Sequence, residues 1–412
     1  MRSLVRSSFR LGHVVILAGA AAVLACGEDA PSPTGPAPAT TEPAAAIATV
    51  STPLSFSSIN AGGYYTCAVS VDSLAYCWGH NTEGMLGDGT TTDRFAPTSV
   101  ARGIKYLQIS PGETHTCAVA VGLRVYCWGL NNKGQVGSTL FRNLKPFLVP
   151  GGRAFRQVNT GLRHTCAVTT SDQAFCWGDN TWGQLGDGTT TPRSAPVAVA
   201  GGLRFRRVIA GGGTTCGVTT DNRGYCWGSN GGAIGDGTTT QRLTPTAVAG
   251  GHSFLQVLVG VFGCGLATDH RGWCWGFNDD GELGDGTRTL RLSPVAVAGG
   301  LSFDQVVPGG ASNTCGVTTL NQAYCWGDNF AGALGDGTET RRLSPVPVVG
   351  GLSFRGVSPG DHHTCAITAG GRAYCWGHNA YGQLGLGTNA GPQTCSGGIA
   401  CSTKPKAVVG PV

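Results

Sequence analysis

The segment CAVSVDSLAYCWG at residues 67–79 places two cysteines ten positions apart, and the second comes directly before a Trp-Gly pair. A polar centre between apolar flanks is typical of two short strands joined by a tight turn. The arrangement recurs, with Trp-Gly at Trp78, Trp128, Trp177, Trp227, Trp275, Trp326 and Trp376. The intervals of 50, 49, 50, 48, 51 and 50 residues indicate seven copies of one structural unit.

Each unit carries further signals on both sides of this hairpin. An aromatic residue opens it, a glycine follows six residues later, and an asparagine comes two residues after the Trp-Gly glycine. A glycine-rich loop and a Pro-led apolar stretch complete the unit. The pattern predicts four short strands per unit, and no segment shows an amphipathic helical period of useful length.

These features predict an all-β fold, a seven-bladed β-propeller of four-stranded antiparallel blades. An open β-solenoid is the structural alternative, but such stacks need atypical capping repeats, and neither end of the chain resembles one. We expect the N- and C-terminal segments to meet and close the ring over residues 54–412. The expected repeats are at about 54–103, 104–152, 153–202, 203–251, 252–300, 301–351 and 352–412.

The N-terminal region has the layout of an export signal. Residues 1–26 combine a basic start, an apolar stretch and small residues before Cys26, which predicts a signal peptide with a lipobox and a lipid anchor on Cys26. An ordinary secretory signal is the alternative. Residues 27–53 are rich in Pro, Ala and Thr and predict a disordered tether. We expect an exported, membrane-anchored lipoprotein in the periplasm, on the outer membrane or at the cell surface.

Composition narrows the function classes. Glycine supplies 68 of 412 residues and charged residues only 12%, which argues against a helical bundle. The net charge of +5 falls to +2 without residues 1–26, where three of the 28 basic residues lie. No run of Lys or Arg suggests phosphate contacts, so we expect no nucleic acid partner. The chain is expected to be a monomer.

The cysteines divide into pairs. Seven pairs are ten residues apart across the predicted hairpins, within reach of cross-strand disulfides, and an eighth pair lies near the C-terminus. Zinc sites would need Cys-x2-Cys spacing, which is absent. We predict the disulfides Cys67–Cys77, Cys117–Cys127, Cys166–Cys176, Cys216–Cys226, Cys264–Cys274, Cys315–Cys325, Cys365–Cys375 and Cys395–Cys401, and an oxidising compartment.

The units resemble repeats of the regulator of chromosome condensation family. The resemblance rests on a Gly followed by His-Thr or an equivalent, a hairpin, Trp-Gly-x-Asn, and Gly-Gln-Leu-Gly-x-Gly, over residues 54–412. It implies a seven-bladed propeller. It also suggests, as an alternative function, a guanine-nucleotide exchange factor, although an exported chain would not meet a cytosolic GTPase. Secreted members that inhibit beta-lactamases through a propeller face are a closer model.

Two other sets of polar residues have structural interpretations. Five loops carry an Asp and, six residues later, an Arg, as in Asp88 and Arg94; an ion-binding ring is the functional alternative to ordinary turn chemistry. His115, His164 and His363 occupy one repeat position that tolerates other residues elsewhere. We therefore expect them to pack or donate hydrogen bonds, with no catalytic or metal-binding role.

The seven copies differ most at the positions after the loop Asn, which should share one face of the propeller. Aromatic and histidine side chains near these positions are typical of protein interfaces. We predict a non-enzymatic cell-envelope binding protein, without cofactor, that recognises a protein or glycan through these loops; drift of unconstrained loops is the plain alternative. A hydrolase or lyase acting on surface polymers at the channel mouth is the alternative function. The predicted recognition residues are Trp182, Phe277, Phe330, Tyr381, His80 and His378.

Overall fold

A computed structural model describes residues 54–411, which form seven antiparallel sheets, one for each sequence repeat. The predicted signal peptide, the lipid site Cys26 and the tether at residues 27–53 lie outside the described residues. In the described part of the chain, no helix is long and apolar enough to cross a membrane.

The first four blades follow the chain without interruption, and their strands are β1 (Phe56–Ala61), β2 (Tyr65–Ser70), β3 (Ala75–Gly79), β4 (Arg94–Ser99), β5 (Tyr106–Pro111), β6 (His115–Ala120), β7 (Val125–Leu130), β8 (Arg142–Leu148), β9 (Phe155–Thr160), β10 (His164–Thr169), β11 (Ala174–Gly178), β12 (Arg193–Ala198), β13 (Phe205–Ala210), β14 (Thr214–Thr219), β15 (Gly224–Gly228) and β16 (Arg242–Ala247).

The last three blades comprise β17 (Phe254–Val259), β18 (Gly263–Ala267), β19 (Gly272–Gly276), β20 (Arg291–Ala296), β21 (Phe303–Pro308), β22 (Asn313–Thr318), β23 (Ala323–Gly327), β24 (Arg342–Pro347), β25 (Phe354–Pro359), β26 (His363–Thr368), β27 (Ala373–His378), β28 (Gln393–Cys395) and β29 (Ile399–Ala407). Two short 3-10 turns occur at Phe330–Gly332 and Ser396–Gly398.

The strands of each blade pair in chain order, and the first strand of each blade contacts the first strands of its neighbours around a central channel. Blade 1 packs against blade 7, where the Arg355 guanidinium donates hydrogen bonds to the carbonyls of Phe56 and Ser57 at 3.0 and 2.8 Å. Val408 packs on the same apolar cluster as Phe56. The predicted seven-bladed ring, closed by its two ends, is confirmed.

Blade 7 departs from the predicted four strands. The insertion after β27 forms a hairpin, in which β28 pairs with β29 and adds a fifth strand to the sheet. Cys395 and Cys401, which lie in these two strands, are joined by a disulfide. The sequence predicted this disulfide but not the added strand, because the segment lacks the repeat pattern from which strands were predicted.

The other seven predicted cysteine pairs are also bonded, each between the second and third strands of a blade. The two cysteines of a pair are direct cross-strand partners, with Cα atoms 4.0 to 4.1 Å apart. A spacing of ten with a central turn therefore produced the opposition that the hairpin pattern predicted. This set of disulfides is typical of an oxidising environment.

In six of the seven blades the indole of the repeat tryptophan bonds a loop carbonyl of the blade before it; Trp177 is the exception. Trp128 is completely buried, and its indole Nε1 donates to the carbonyl of Met85 at 2.9 Å. A Cβ atom on Gly87 would lie 2.5 Å from the same Nε1, and the φ of Gly87 is +71°. Glycine is therefore required in this loop both by its backbone conformation and by contact with the indole.

A ring of seven glycines surrounds one end of the channel. Each is the glycine six residues after the opening aromatic, and a Cβ atom on it would lie within 3 Å of the carbonyl oxygen of its counterpart in the next blade. The last contact runs from Gly360 back to Gly62, so the ring of contacts is continuous. We call this ring the glycine collar; it comprises Gly62, Gly112, Gly161, Gly211, Gly260, Gly309 and Gly360.

Candidate functional site

The meander of each blade places two kinds of connection at the collar end of the ring. These are the turns between first and second strands and the long loops between third and fourth strands, such as residues 80–93. We call this end the loop face. The opposite end, the turn face, carries the hairpin turns between second and third strands and the linkers between blades. All the predicted recognition residues belong to the loop face or its immediate border.

The repeat Asn and Asp organise the long loops from within. Asn81 Nδ2 donates to the carbonyls of Thr90 and Thr92 at 3.1 and 3.0 Å, while its Oδ1 accepts from the Leu86 amide at 3.0 Å. Asp88 accepts from the Thr90 amide and pairs with Arg94 at 2.7 Å. The Asp and Arg side chains thus bond each other and their own loop, as the structural interpretation of the repeated Asp and Arg predicts.

Hydrogen bonds also explain the titration of these carboxylates. Burial acts to raise the pKa of Asp88, but the bonds from Thr90 and the Arg94 guanidinium outweigh it and hold the pKa below its usual range. The equivalent aspartates of the other four Asp/Arg loops behave in the same way. No group of three or more His, Cys, Asp or Glu suited to a metal occurs among residues 54–411.

The predicted recognition residues fall into two groups on the loop face. Trp182, which is 51% exposed, and Phe277, which is 46% exposed, lie on either side of blade 4, beside Gly213 and Gly231 respectively. The other four lie on blades 6, 7 and 1: Phe330, His378, Tyr381 and His80. The sequence placed all six on one face, but only the tertiary structure separates them into two sites.

The second group forms a continuous patch through two residues that the sequence analysis missed. Tyr64 lies in the first turn of blade 1, with its ring 5.4 Å from Tyr381 and 6.0 Å from His362. The ring of His362 is 5.0 Å from Phe330, and that of His80 is 4.6 Å from Tyr381. We call this set the aromatic–histidine patch; it comprises Tyr64, His80, Phe330, His362, His378 and Tyr381.

His378 is a buried member of the patch. It is 7% exposed, and its Nδ1 is 2.6 Å from the Gln383 amide nitrogen. Burial lowers the pKa of His378, with a further contribution from His362. Burial likewise lowers the pKa of His362. The imidazoles of His362 and His378 are therefore uncharged around neutral pH.

Two carboxylates border the patch at the mouth of the channel. A Cβ atom on Gly63 would lie 3.4 Å from both Asp361 Oδ2 and Glu113 Cγ, so the two side chains flank that glycine. Burial, followed by repulsion from Glu113, raises the pKa of Asp361 to about 7. Burial raises the pKa of Glu113 despite the opposing charge of Arg163. The mouth thus holds acidic groups whose charge is poorly compensated.

The channel itself forms a cavity of about 380 Å³. Its wall consists of the first strands of the blades and carries mainly carboxamide and small aliphatic side chains. A cavity of this size lies within the range of small-molecule sites.

Three histidines expected to have structural roles link neighbouring blades. His115 Nε2 lies 2.8 Å from Thr165 Oγ1, and His164 makes the equivalent contact with Thr215. His363 contacts Thr66 at 2.9 Å across the closure of the ring. Burial lowers the pKa of His115 and His363 to about 3 and that of His164 to about 4. These imidazoles are neutral hydrogen-bonding groups, as the sequence indicated.

The missed residues Tyr64, Glu113, Asp361 and His362 share one signal. Each comes directly after a collar glycine or one residue later, at positions that differ from copy to copy. The predicted recognition residues, by contrast, lie near the loop Asn. The turns after the collar glycines vary as much and converge on the channel mouth.

Comparisons with known proteins agree with this architecture. The family model described as RCC1-like domain matches residues 9–310, and that of the regulator of chromosome condensation (RCC1) repeat matches residues 321–367 and 370–412. A second model of the same repeat matches residues 354–383. No curated protein matches the sequence significantly.

Several solved structures share the fold. Prp20p from Saccharomyces cerevisiae superposes with a TM-score of 0.72 at 18% identity, covering 82% of this chain and 87% of its own. Human WBSCR16 gives a TM-score of 0.69 at 21% identity and covers 76% and 86%. The CRINKLY WD40 ectodomain of the Arabidopsis thaliana receptor kinase ACR4 gives 0.50 at 20% identity and covers 79% and 96%. At these identities the likeness establishes the fold alone.

Proposed function

The chain belongs to the RCC1-like domain family, and we propose that it is a non-enzymatic binding protein that recognises a protein or glycan partner through its loop face. The observation that carries the proposal is the aromatic–histidine patch. Its rings come from three blades, and Phe330 remains 38% exposed. Aromatic side chains held on a rigid scaffold bind partners at a low cost in conformational entropy.

The carboxylates beside the patch favour one kind of partner. Asp361 and Glu113 have raised pKa values because burial is not offset by a strong positive charge. A basic side chain from a partner would supply that charge and pack its aliphatic stem on the rings. We therefore favour a protein partner that presents Lys or Arg to the channel mouth.

We place this function outside the cytoplasm. Eight disulfides support an oxidising compartment. We further propose residues 1–26 as a signal peptide with lipidation of Cys26, and residues 27–53 as a tether to a membrane. The seven repeats over residues 54–412 would then form one propeller held at the cell envelope.

The binding proposal is tested with two matched double variants of the full chain. Phe330→Ala with Tyr381→Ala removes rings from the patch, and Trp182→Ala with Phe277→Ala removes two exposed rings of the other group. Cross-linking on intact cells identifies the partner, and its affinity is then measured with purified proteins. We expect at least a tenfold loss for the patch variant, less than twofold for the control, and no change in Tm. Equal affinities of wild type and both variants would contradict the proposal.

One observation favours a second candidate, a hydrolase or lyase acting on surface polymers. A carboxyl group with a pKa of about 7 next to a second carboxylate can donate and accept protons near neutral pH. Under this alternative, Asp361→Asn abolishes turnover of an acidic or ester-bearing polysaccharide while Tm is maintained. Absence of turnover by the wild-type chain across such a panel removes the candidate.

An exchange-factor function has weaker support. Prp20p, which shares the fold, has binding properties towards Gsp1p and histones. Its identity of 18% carries only the fold across, and the disulfides favour a compartment separate from cytosolic GTPases. We do not propose this function for the chain.

A further inference from the structure

Arg207 departs from a pattern that the other blades follow inside the channel. Two residues after the opening aromatic, four blades carry glutamine: Gln108, Gln157, Gln256 and Gln305. Each uses its carboxamide to bind the first strand of the next blade; Gln157, for example, donates to the Val208 carbonyl at 2.8 Å and accepts from the Val208 amide at 3.1 Å. Blade 4 has Arg207 at this position, so it lacks that link to blade 5.

The arginine gains no replacement partner. Among residues 54–411 its guanidinium forms no ion pair or hydrogen bond. It reaches channel solvent but is surrounded by the ring, and this desolvation, followed by repulsion from Arg206, lowers its pKa. The side chain is thus exposed to the channel solvent and lies within the ring of first strands. No hydrogen bond or ion pair within the described residues therefore accounts for an arginine at this position.

The cavity around Arg207 suits an anion that also carries hydroxyl groups. Arg207 is the single positively charged side chain among the described residues that line the cavity. Nearby carboxamides retain free hydrogen-bonding capacity: Gln256 Oε1 and Asn60 Oδ1 accept no bond within the described residues, and Gln305 Nε2 donates none. Guanidinium groups bind carboxylate and phosphate through paired N–H donors, and carboxamides bind hydroxyls.

The charges along the channel define the direction of entry. Asp361 and Glu113 stand at the loop-face mouth and disfavour approach of an anion there. Arg156 and Arg206 border the channel nearer the turn face. Both guanidiniums donate to backbone carbonyls of the next blade, such as the bond from Arg206 to Leu255 at 2.9 Å. Arg156 is also paired with the Asp172 carboxylate at 2.6 Å, whereas Arg206 has no carboxylate partner among the described residues. Arg206 is therefore the fixed positive charge that attracts an anion from the turn face without competing for it.

We propose that the central channel binds a small hydroxylated oxyanion, with the carboxylate or phosphate on Arg207 and the hydroxyls on the channel carboxamides. The anion enters from the turn face. This site is separate from the partner surface proposed for the loop face, and neither proposal depends on the other.

The test uses Arg207→Gln, a substitution that the fold itself suggests. Because glutamine occupies the equivalent position in four blades, the variant can form the missing link to blade 5 and should keep or raise Tm. Arg204→Gln is the matched control, since Arg204 is exposed and lies outside the channel, three residues earlier. Glucuronate, glucose 6-phosphate and glucose are titrated into each full-length protein at constant ionic strength, with calorimetry as the readout.

We expect one or both anions to bind the wild type and the Arg204→Gln variant, with at least tenfold weaker binding to Arg207→Gln and none of glucose. Preference for glucuronate identifies the carboxylate as the ligand chemistry, and preference for glucose 6-phosphate identifies the phosphate. In wild type labelled with nitrogen-15, the side-chain Nε–Hε signal that is lost in Arg207→Gln should shift on titration. Absence of binding by both anions, equal binding to Arg207→Gln, or equal loss in the control overturns the proposal.

Discussion

The two halves of the ring differ in how neighbouring blades are joined. From blade 7 through blades 1, 2 and 3 to blade 4, a buried His or Tyr at the start of the second strand bonds a Thr of the next blade. The four contacts are His363–Thr66, Tyr65–Thr116, His115–Thr165 and His164–Thr215, all at 2.8 to 2.9 Å. We call this half the linked arc.

The remaining junctions, from blade 4 to blade 7, lack the contact; we call them the unlinked arc. Thr214 of blade 4 faces blade 5, which has Gly263 at the position of the bonded Thr. Phe262 of blade 5 has no hydrogen-bonding group in its side chain and forms no such link to blade 6. Asn313 is 1% exposed, and neither polar atom of its side chain has a partner within the described residues.

The contacts within the glycine collar also differ between the two arcs. In the linked arc, a Cβ atom on a collar glycine would lie at most 2.6 Å from the next blade's glycine carbonyl. In the unlinked arc the corresponding distances are 2.8 to 2.9 Å. Blades that share the side-chain bond therefore approach more closely at the channel mouth. One repeat pattern thus permits two kinds of junction, and a side chain at a single position distinguishes them.

Acidification should destabilise the linked arc before the unlinked arc. This is the largest effect that we expect. Its three histidines must be neutral, and their pKa values of about 3 to 4 lie below the unfolded value of about 6.5. The unfolded chain then binds more protons, so stability present above pH 6.5 is lost as the pH falls towards 4. Each histidine costs about 1.4 kcal/mol per pH unit in this window. The raised pKa of Asp361 has the opposite effect and cancels the contribution of one histidine. The net slope of the free energy of unfolding is then roughly 3 kcal/mol per pH unit.

Urea unfolding at pH 7.5, 6.0 and 5.0 measures this slope, and hydrogen exchange locates the loss among the blades. His115→Tyr is the informative variant, because Tyr65 makes the same link through its hydroxyl in blade 1. It should preserve stability at pH 7.5 and reduce the slope by about 1.4 kcal/mol per pH unit. Uniform loss of protection in all seven blades would contradict the distinction between the arcs.

A methyl group on the collar should cost more in the linked arc than in the unlinked arc. In Gly161→Ala the new Cβ collides with the Gly211 carbonyl, and we expect a loss of about 2 to 4 kcal/mol in the free energy of unfolding. In Gly260→Ala the nearest carbonyl is 2.9 Å away, and a small shift of the blades relieves the contact, at about 1 kcal/mol. Denaturant unfolding at pH 7.5 compares the two; equal losses would show that the arcs are equally tight.

The smallest expected effect is a gain from adding a link. Asn313→His places an imidazole opposite Thr364, as in blades 2, 3 and 7, and removes two unsatisfied buried atoms. We expect about 1 kcal/mol of added stability at pH 7.5, measured by denaturant unfolding. The control is Thr214→His, because the residue that faces this position is Gly263, which offers no hydroxyl group to the new imidazole. A gain in the control but not in Asn313→His would contradict the role assigned to the link.

Much of the architecture was predictable because the same sequence pattern recurs seven times. Seven Trp-Gly pairs predicted seven blades, and the cysteine spacing of ten predicted cross-strand disulfides that the structure contains. The added strand β28 was missed because it lies in a unique insertion, and one copy of a segment reveals no period. The turn residues around Asp361 were missed because their significance depends on segments from three different blades.

What the sequence determined by itself was local and periodic: hairpins, glycine turns, disulfide pairing and the number of blades, since each arises within about fifty residues. What only the tertiary structure decided was which non-equivalent side chains meet. Tyr64, Phe330 and Asp361 are far apart in the chain, and they converge because ring closure brings blade 1 against blade 7. The position of Arg207 has the same origin, since only the assembled ring makes it the one basic side chain among the described residues that line the cavity.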